Sequence, residues 1–195
     1  MTMKSICVFC GSSSGNNPEF IRSAQLLGQY LAENRITLIY GGANVGIMGA
    51  IADSTLENGG SVKGVLPKFL QGKEIAHTGL TELIICETMH ERKIKMFELS
   101  QGFVALPGGF GTLEEVVEIL TWQQLGFHKY PVGFLNIGGF FDHLRMFFDE
   151  MERTRLLKAE NKKMALFGSS VLDLLNTMKS YKAPEVTKWI SNSVV

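Results

Sequence analysis

Phe103-Val104-Ala105-Leu106-Pro107-Gly108-Gly109-Phe110-Gly111-Thr112-Leu113-Glu114-Glu115 joins an apolar run, a glycine-rich break and the start of a helical pattern. Phe103–Leu106 reads as a buried strand, and apolar residues recur at helical spacing from Leu113 to Leu125. A strand that breaks at glycines and restarts as a helix aims bare backbone N–H groups at whatever sits above the sheet. The positive end of the helix dipole adds to them, so such a turn suits an anion, most often a phosphate. Glu114 and Glu115 follow at once. Acids beside an anion site are electrostatically awkward unless they have a task of their own.

The same alternation fills the chain outward from this stretch. Strands are expected at Ser5–Cys10, Thr37–Tyr40, Val62–Leu66, Leu83–Cys86, Phe103–Leu106 and Val132–Leu135. Helices are expected at Pro18–Asn34, Ile47–Asn58, Met89–Gln101, Leu113–Leu125 and Phe140–Glu152, with a last one capped by Ser169 and running to about Tyr181. Asn17-Pro18-Glu19 reads as N-cap, first-turn proline and first-turn acid, and Asn58-Gly59 as a helix stop. Val- and Ile-rich strands alternating with helices imply an α/β fold: a doubly wound, mostly parallel, Rossmann-like sheet. No linker, low-complexity tract or repeat interrupts residues 1–195, so one domain is expected.

Bulk composition narrows the class. The chain is 45% hydrophobic and 19% charged with a formal net charge of zero, which gives no long-range attraction to nucleic acid or to an acidic membrane. No apolar run approaches the roughly 20 residues that span a bilayer, and Met1–Ser5 leads into a strand-like run without a signal-peptide pattern. A cytoplasmic protein is expected. Cys7-Val8-Phe9-Cys10 spells C-x-x-C, but on a strand residues three apart point to opposite faces, so buried thiols are expected there. His77, His90, His128 and His143 show no ligand spacing, and no metal site is assigned.

Open parallel sheets bind ligands outside the carboxyl ends of their strands, and four loops there are chemically unusual. Gly11-Ser12-Ser13-Ser14-Gly15 offers close backbone approach and hydroxyl donors, or is only a flexible turn. Gly41-Gly42-Ala43-Asn44-Val45-Gly46-Ile47-Met48-Gly49 fails the dinucleotide G-x-G-x-x-G spacing and lacks G-K-[ST]; it serves packing, binding or both. In Met89-His90-Glu91-Arg92-Lys93, two adjacent cations head apolar helical stripes, and either meet a ligand or snorkel to solvent. The fourth is the opening stretch, where Thr112-Leu113-Glu114-Glu115 also fits a capping box, S/T-x-x-E.

Together P-G-G-F-G-T-L-E-E, M-H-E-R-K and Y-G-G-A-N-V-G-I-M-G, in their order and spacing here, resemble the LOG ("Lonely Guy") proteins, from strand one to about Lys129. The resemblance implies a cytokinin riboside 5'-monophosphate phosphoribohydrolase: hydrolysis of the N-glycosidic bond of an AMP-type nucleotide to free base and ribose 5-phosphate. It implies Arg92 and Glu115 as the catalytic pair. It implies Lys93, Gly109, Phe110, Gly111, Thr112, Leu113 and Glu114 as substrate-contacting positions, with Glu74 and Thr121 as further ones; Gly108 is added from the turn itself, where Gly108 to Thr112 are expected to hold the phosphate. Gly11, Ser12, Gly41, Gly42 and Gly46 join them from the glycine loops. No metal and no organic cofactor is implied, and a homodimer is, to which apolar Met146, Phe147 and Phe148 lend surface. Ala43 and Ile47 depart from the family's usual second loop, where a glycine and a leucine stand; Ala43 is expected to narrow the space around phosphate or ribose.

The chemistry fits independently. Breaking a ribosyl C–N bond builds oxocarbenium character that an adjacent carboxylate stabilises while it orients or deprotonates water. Two rivals stand beside this reading. One is a non-catalytic nucleotide-binding or carrier protein in which Glu115 is only a cap. The other is a pyridoxal decarboxylase, which needs a Schiff-base lysine; His128-Lys129 is present, but Gly126 stands where the usual serine would be.

Overall fold

Runs of Val, Ile, Leu and Phe too apolar to face water on either side become strands of one parallel sheet. The computed structural model describes residues 3–71 and 76–184. β1 (Ser5–Phe9) leads through α1 (Pro18–Glu33) to β2 (Thr37–Tyr40), α2 (Gly46–Glu57), β3 (Val62–Pro67), the single-turn α3 (Lys68–Gln71) and β4 (Glu82–Cys86). Then follow α4 (Met89–Glu98), β5 (Phe103–Ala105), α5 (Phe110–Gln124), β6 (Val132–Leu135), α6 (Asp142–Arg153), α7 (Ala159–Lys162), β7 (Ala165–Gly168) and α8 (Val171–Ser180).

The strand order is β4-β3-β2-β1-β5-β6-β7, and every strand pairing is parallel. The chain winds outward from β1 in one direction, then restarts at β5 and winds in the other. The switch point therefore lies between β1 and β5, and the loops after these two strands meet there: Gly11 N–H donates to the Pro107 carbonyl at 3.1 Å.

Two cores sandwich the sheet. One lies under α1, α2 and α8 and includes Ile6, Leu27, Leu31, Tyr40 and Ile51; the other lies under α4, α5 and α6 and includes Phe9, Met96, Phe103, Val116 and Phe134. Cys10 belongs to the first core and Cys7 to the second, as the strand spacing requires. Burial pushes both thiols well above their ordinary range, so they stay neutral. Phe148 is buried, with its ring 6.2 Å from Phe134 and 6.4 Å from Phe167, and so offers no surface to a partner; Met146 and Phe147 are exposed.

Local signals set most boundaries. Asn17 Oδ1 accepts from the Glu19 N–H at 3.0 Å to start α1. Gly59 takes a φ of 74° just past α2, where its N–H and that of Gly60 satisfy late carbonyls. Three expectations need correction. The last helix is capped by Ser170, whose Oγ accepts from Asp173 N–H, and not by Ser169. β7 was not expected: it is an edge strand, half-buried over Ala165, Leu166 and Phe167, and its run Ala165-Leu166-Phe167-Gly168 holds no β-branched residue. α5 starts at Phe110, three residues before the periodic segment: Thr112 is the first of its residues to be buried, and the exposed Phe110 and Gly111 extend the helix ahead of it despite the poor helix propensity of glycine. Among the described residues no helix is long and apolar enough to cross a membrane.

Candidate active site

The site is built first from backbone. After β5 the chain turns at Pro107-Gly108-Gly109, and a side chain at Gly108 would overlap Thr112 and crowd Gly11 N at 2.9 Å. Gly109 is the N-cap of α5 and supplies no side-chain cap, while the Leu113 N–H closes on the Gly109 carbonyl at 3.1 Å. The first N–H groups of α5, on Phe110, Gly111 and Thr112, therefore point out of the helix at the sheet's switch point. Thr112 is not the cap, so the capping-box reading of Thr112-Leu113-Glu114-Glu115 is wrong here. The box forms instead at α4, where Thr88 Oγ1 accepts from Glu91 N–H at 3.1 Å and Glu91 Oε2 accepts from Thr88 N–H at 3.4 Å.

The two glycine loops lock beside this turn. Gly46 has a φ of 58°, and any side chain there would overlap the Ser12 backbone. Met48 N–H reaches the Gly11 carbonyl at 3.3 Å. Gly41 lies so close to the Arg92 guanidinium that a side chain would collide with Nη2.

The α4 capping box fixes where Arg92 and Lys93 point, and they point differently. Arg92 turns inward: Nε donates to the Val65 carbonyl at 3.1 Å and Nη1 to Glu115 Oε1 at 2.6 Å. The two side chains are only 8% and 7% exposed. Nη2 makes no hydrogen bond to a described residue. Burial pushes the Glu115 carboxyl above its ordinary value, and the Arg92 charge offsets only part of that rise. Lys93 instead donates to Glu114 Oε1 at 2.6 Å and lies 3.0 Å from Glu118 Oε2. Partial burial pulls its ammonium down, but the bonds to Glu114 and Glu118 outweigh this and raise it. Two cations thus face three carboxylates, one negative charge in excess.

Sequence reasoning missed Glu118; its only signal is the i, i+4 spacing from Glu114 on α5. It also missed Phe140, carried on the loop after β6 by Gly138 and Gly139 at φ 59° and 75°. Phe140 lines both clefts that flank the glycine turn. One, of about 320 Å3, lies against Phe110, Thr112, Leu113, Phe141 and Leu144; the other, of about 280 Å3, against Gly11, Ser12, Ser13 and Phe20. Gly108 and Gly109 border both.

Not every expected residue is brought to this point. Thr121 is exposed, bonds its hydroxyl to the Val117 carbonyl at 2.8 Å, and lies on the outer face of α5 with Glu114. It stands about 9 Å beyond Glu115 along the helix axis. Ala43 is buried and bridges to Ala76 without lining either cleft, so it does not narrow them. Glu74 lies outside the described residues. Lys129, the lysine of the decarboxylase reading, is exposed beside His128, just before β6 and so at the amino ends of the strands, away from the switch-point loops. His128 accepts from Tyr130 N–H at Nδ1, which leaves Nε2 to donate to the Ile119 carbonyl at 2.9 Å.

Comparisons with known proteins identify the family. A family model described as "Possible lysine decarboxylase" matches residues 48–178. Probable cytokinin riboside 5'-monophosphate phosphoribohydrolase LOGL1 of Oryza sativa subsp. japonica is 44% identical over 176 residues, which cover 90% of this chain and 79% of the relative. Cytokinin riboside 5'-monophosphate phosphoribohydrolase LOG2 of Arabidopsis thaliana is 40% identical over 189 residues, covering 97% and 88%. The chain belongs to the LOG family.

The LOG fold extends to solved structures of other proteins. A molybdenum cofactor binding protein from Rippkaea orientalis superposes with a TM-score of 0.70 at 22% identity, covering 92% of this chain and 98% of that one. The molybdenum cofactor carrier protein of Chlamydomonas reinhardtii gives 0.68 at 21%, covering 90% and 95%. At such identities the likeness is one of fold. What these residues make of the shared LOG scaffold has to be argued from the buried Arg92–Glu115 pair and the uncapped helix beside it.

Proposed function

We propose that this chain hydrolyses the N-glycosidic bond of AMP-type nucleotides, cytokinin riboside 5'-monophosphates or AMP itself, to free base and ribose 5-phosphate. The observation that carries the reading is the buried Arg92–Glu115 pair, closed at 2.6 Å about one and a half helical turns after the uncapped start of α5. The rice and Arabidopsis relatives bear that activity in their names.

The 5'-phosphate is placed on the N–H groups of Phe110, Gly111 and Thr112, with Gly108, Gly109, Gly11 and Ser12 allowing close approach. The net negative cluster of Arg92, Lys93, Glu114, Glu115 and Glu118 argues against seating a dianion between the two cations. Glu115 then faces the ribosyl carbon. As the C–N electron pair leaves with the base, its carboxylate stabilises the developing positive charge and orients or deprotonates the attacking water. Arg92 holds that carboxylate and offers Nη2 to the substrate. Lys93, Leu113 and Glu114 line the approach, and Gly41, Gly42 and Gly46 shape the neighbouring wall. The phosphate, held away from the bond being cut, fixes the ribose so that its binding energy serves the rate. Glu74 and Thr121 enter on family resemblance alone.

The proposal extends to organisation. One continuous sheet supports a single domain. The α5 and α6 surface, with Phe110, Val117, Met146 and Phe147 exposed, suits a second copy; light scattering that finds only monomer at micromolar concentration refutes the homodimer. Free cysteines with thiols held neutral by burial support a cytoplasmic setting.

The test is product analysis after incubation with AMP and with N6-isopentenyl-AMP. Equimolar base and ribose 5-phosphate are expected, and the ratio of kcat/KM values identifies the preferred base. Tight binding without base release favours a carrier, the alternative that the molybdenum cofactor proteins' shared fold keeps in view. A pyridoxal absorbance band in concentrated protein would favour the decarboxylase description.

A further inference from the structure

Behind the second glycine loop runs a strap, Ala76–Gly79, that none of the chemistry above uses. His77 N–H donates to the Gly42 carbonyl at 2.9 Å, and Ala43 and Ala76 form an antiparallel bridge. The His77 ring is pinned at both nitrogens. Gly79 N–H donates to Nδ1 at 3.0 Å, which leaves the ring proton on Nε2, 2.8 Å from Asp53 Oδ1. The imidazole is only 11% exposed, whereas Asp53 is 57% exposed on the outer side of α2. α2 is the helix that the glycine loop itself opens at Gly46. The loop is therefore held at one end by Gly46 packed on Ser12 and in its middle by the strap, with Asp53 tying the strap back to the same helix. Its first residue, Gly41, is the one pressed against the Arg92 guanidinium.

We propose that His77 and Asp53 are positioning residues: they clasp the strap onto the glycine loop, and the loop in turn holds Arg92 in register with Glu115. Contact runs without a gap from Asp53 through His77, Gly42 and Gly41 to Arg92 and Glu115. The strap reaches the loop through the His77 backbone N–H, and among the described residues no side chain bonds the Gly42 or Ala43 backbone in its place. The catalytic part of the inference rests on the hydrolase reading above; the clasp itself does not.

Asp53→Ala is the decisive variant, because an exposed position leaves folding intact. Its kcat is expected to fall about 10- to 100-fold, the scale on which small misplacements of catalytic groups act, with KM and melting temperature changing little. Asp53→Asn keeps an acceptor for Nε2 and is expected within about twofold of the parent. His77→Ala is expected to match the double variant His77→Ala/Asp53→Ala, since one bond is lost only once. A role confined to stability would not move the pH profile. The clasp predicts that Asp53→Ala shifts the acid limb of kcat upward, because a loosened Arg92 offsets less of the rise that burial imposes on Glu115.

Hydrogen exchange of the His77 and Gly79 amides gives a readout without catalysis, and both are expected to exchange faster in Asp53→Ala than in the parent. Unchanged exchange overturns the clasp. Faster exchange with parental kcat and parental acid limb overturns the positioning role. A parent that binds AMP but releases no base refutes the hydrolase reading instead. The positioning role then stands if Asp53→Ala weakens AMP binding about tenfold or more, and falls if affinity is unchanged.

Discussion

Arg92 and Lys93 are neighbours in the chain, and so are Glu114 and Glu115, yet the two cation–carboxylate contacts they form are physically different objects. Arg92–Glu115 is closed to solvent, braced by the Val65 carbonyl and crowded by Gly41. Lys93 meets two carboxylates, Glu114 at 56% exposure and Glu118 at 29%, on the outer flank of α5. Removing one partner of a buried pair leaves an uncompensated charge in low dielectric, at about 3–5 kcal/mol. An exposed pair contributes about 0–1 kcal/mol. One hundred degrees of helix rotation between successive residues is all that separates them. Under the proposed hydrolysis the contrast divides the tasks: the inner pair would fix a carboxylate whose protonation matters, and the outer group would tune the field that an incoming anion meets.

The hardest blow to this contrast is Glu115→Gln. It keeps an oxygen for Arg92 but removes the charge that the proposal sets against the ribosyl carbon. Loss of a positioned acid–base group costs about 10²- to 10⁴-fold, so kcat for base release is expected to fall by that much while AMP affinity stays within a few fold. Release at the parental rate would end the role given to Glu115. The parent's pH profile sharpens the same point. Burial holds this carboxyl above its ordinary value, and only the ionised form can act as a base. Activity is therefore expected to decline, as pH is lowered, at a higher pH than an ordinary glutamate would give.

Arg92→Ala should do less to the chemistry per se and more to the fold. It strands Glu115 at 7% exposure without its counter-ion, so urea unfolding at pH 8 is expected to show a loss of about 3–5 kcal/mol. The carboxyl, no longer offset, rises further. The deficit is expected to shrink as pH falls and Glu115 takes up a proton. A deficit independent of pH would mean that the pair contributes by packing alone.

How much of this could be read from residues alone follows the same division between near and far. The strand–turn–helix at Phe103–Gln124 was legible because glycines sit between an apolar run and a helical period. The order of strands was not, yet it is what brings Gly11 to Pro107. The S/T-x-x-E pattern occurs at both Thr88 and Thr112, and local sequence cannot choose between them. The choice is made at long range, because Glu115 is drawn inward to Arg92 and is unavailable to cap. Glu118 has the pattern of any solvated helix glutamate, and the His77–Asp53 contact joins residues 24 apart with the whole of β3 between them. Charge type and glycine placement are local facts; which carboxylate is buried is a tertiary one.

The smallest effects test the outer group by sign. The cluster carries one surplus negative charge, so its field opposes a phosphate dianion. Glu118→Gln neutralises that surplus and is expected to lower KM for AMP, by less than about 1 kcal/mol in binding because exposed charges are screened. Lys93→Met deepens the surplus and is expected to raise KM, by more, since the lysine side chain is only 11% exposed while that of Glu118 is 29% exposed. Raising the salt from about 20 mM to about 0.5 M shortens the Debye length several-fold, so the Glu118→Gln change is expected to vanish while part of the Lys93→Met change persists. A rise in KM for Glu118→Gln that ignores salt would make Glu118 a direct substrate ligand. The outer group would then be a binding site in its own right and not the electrostatic counterpart of the buried pair.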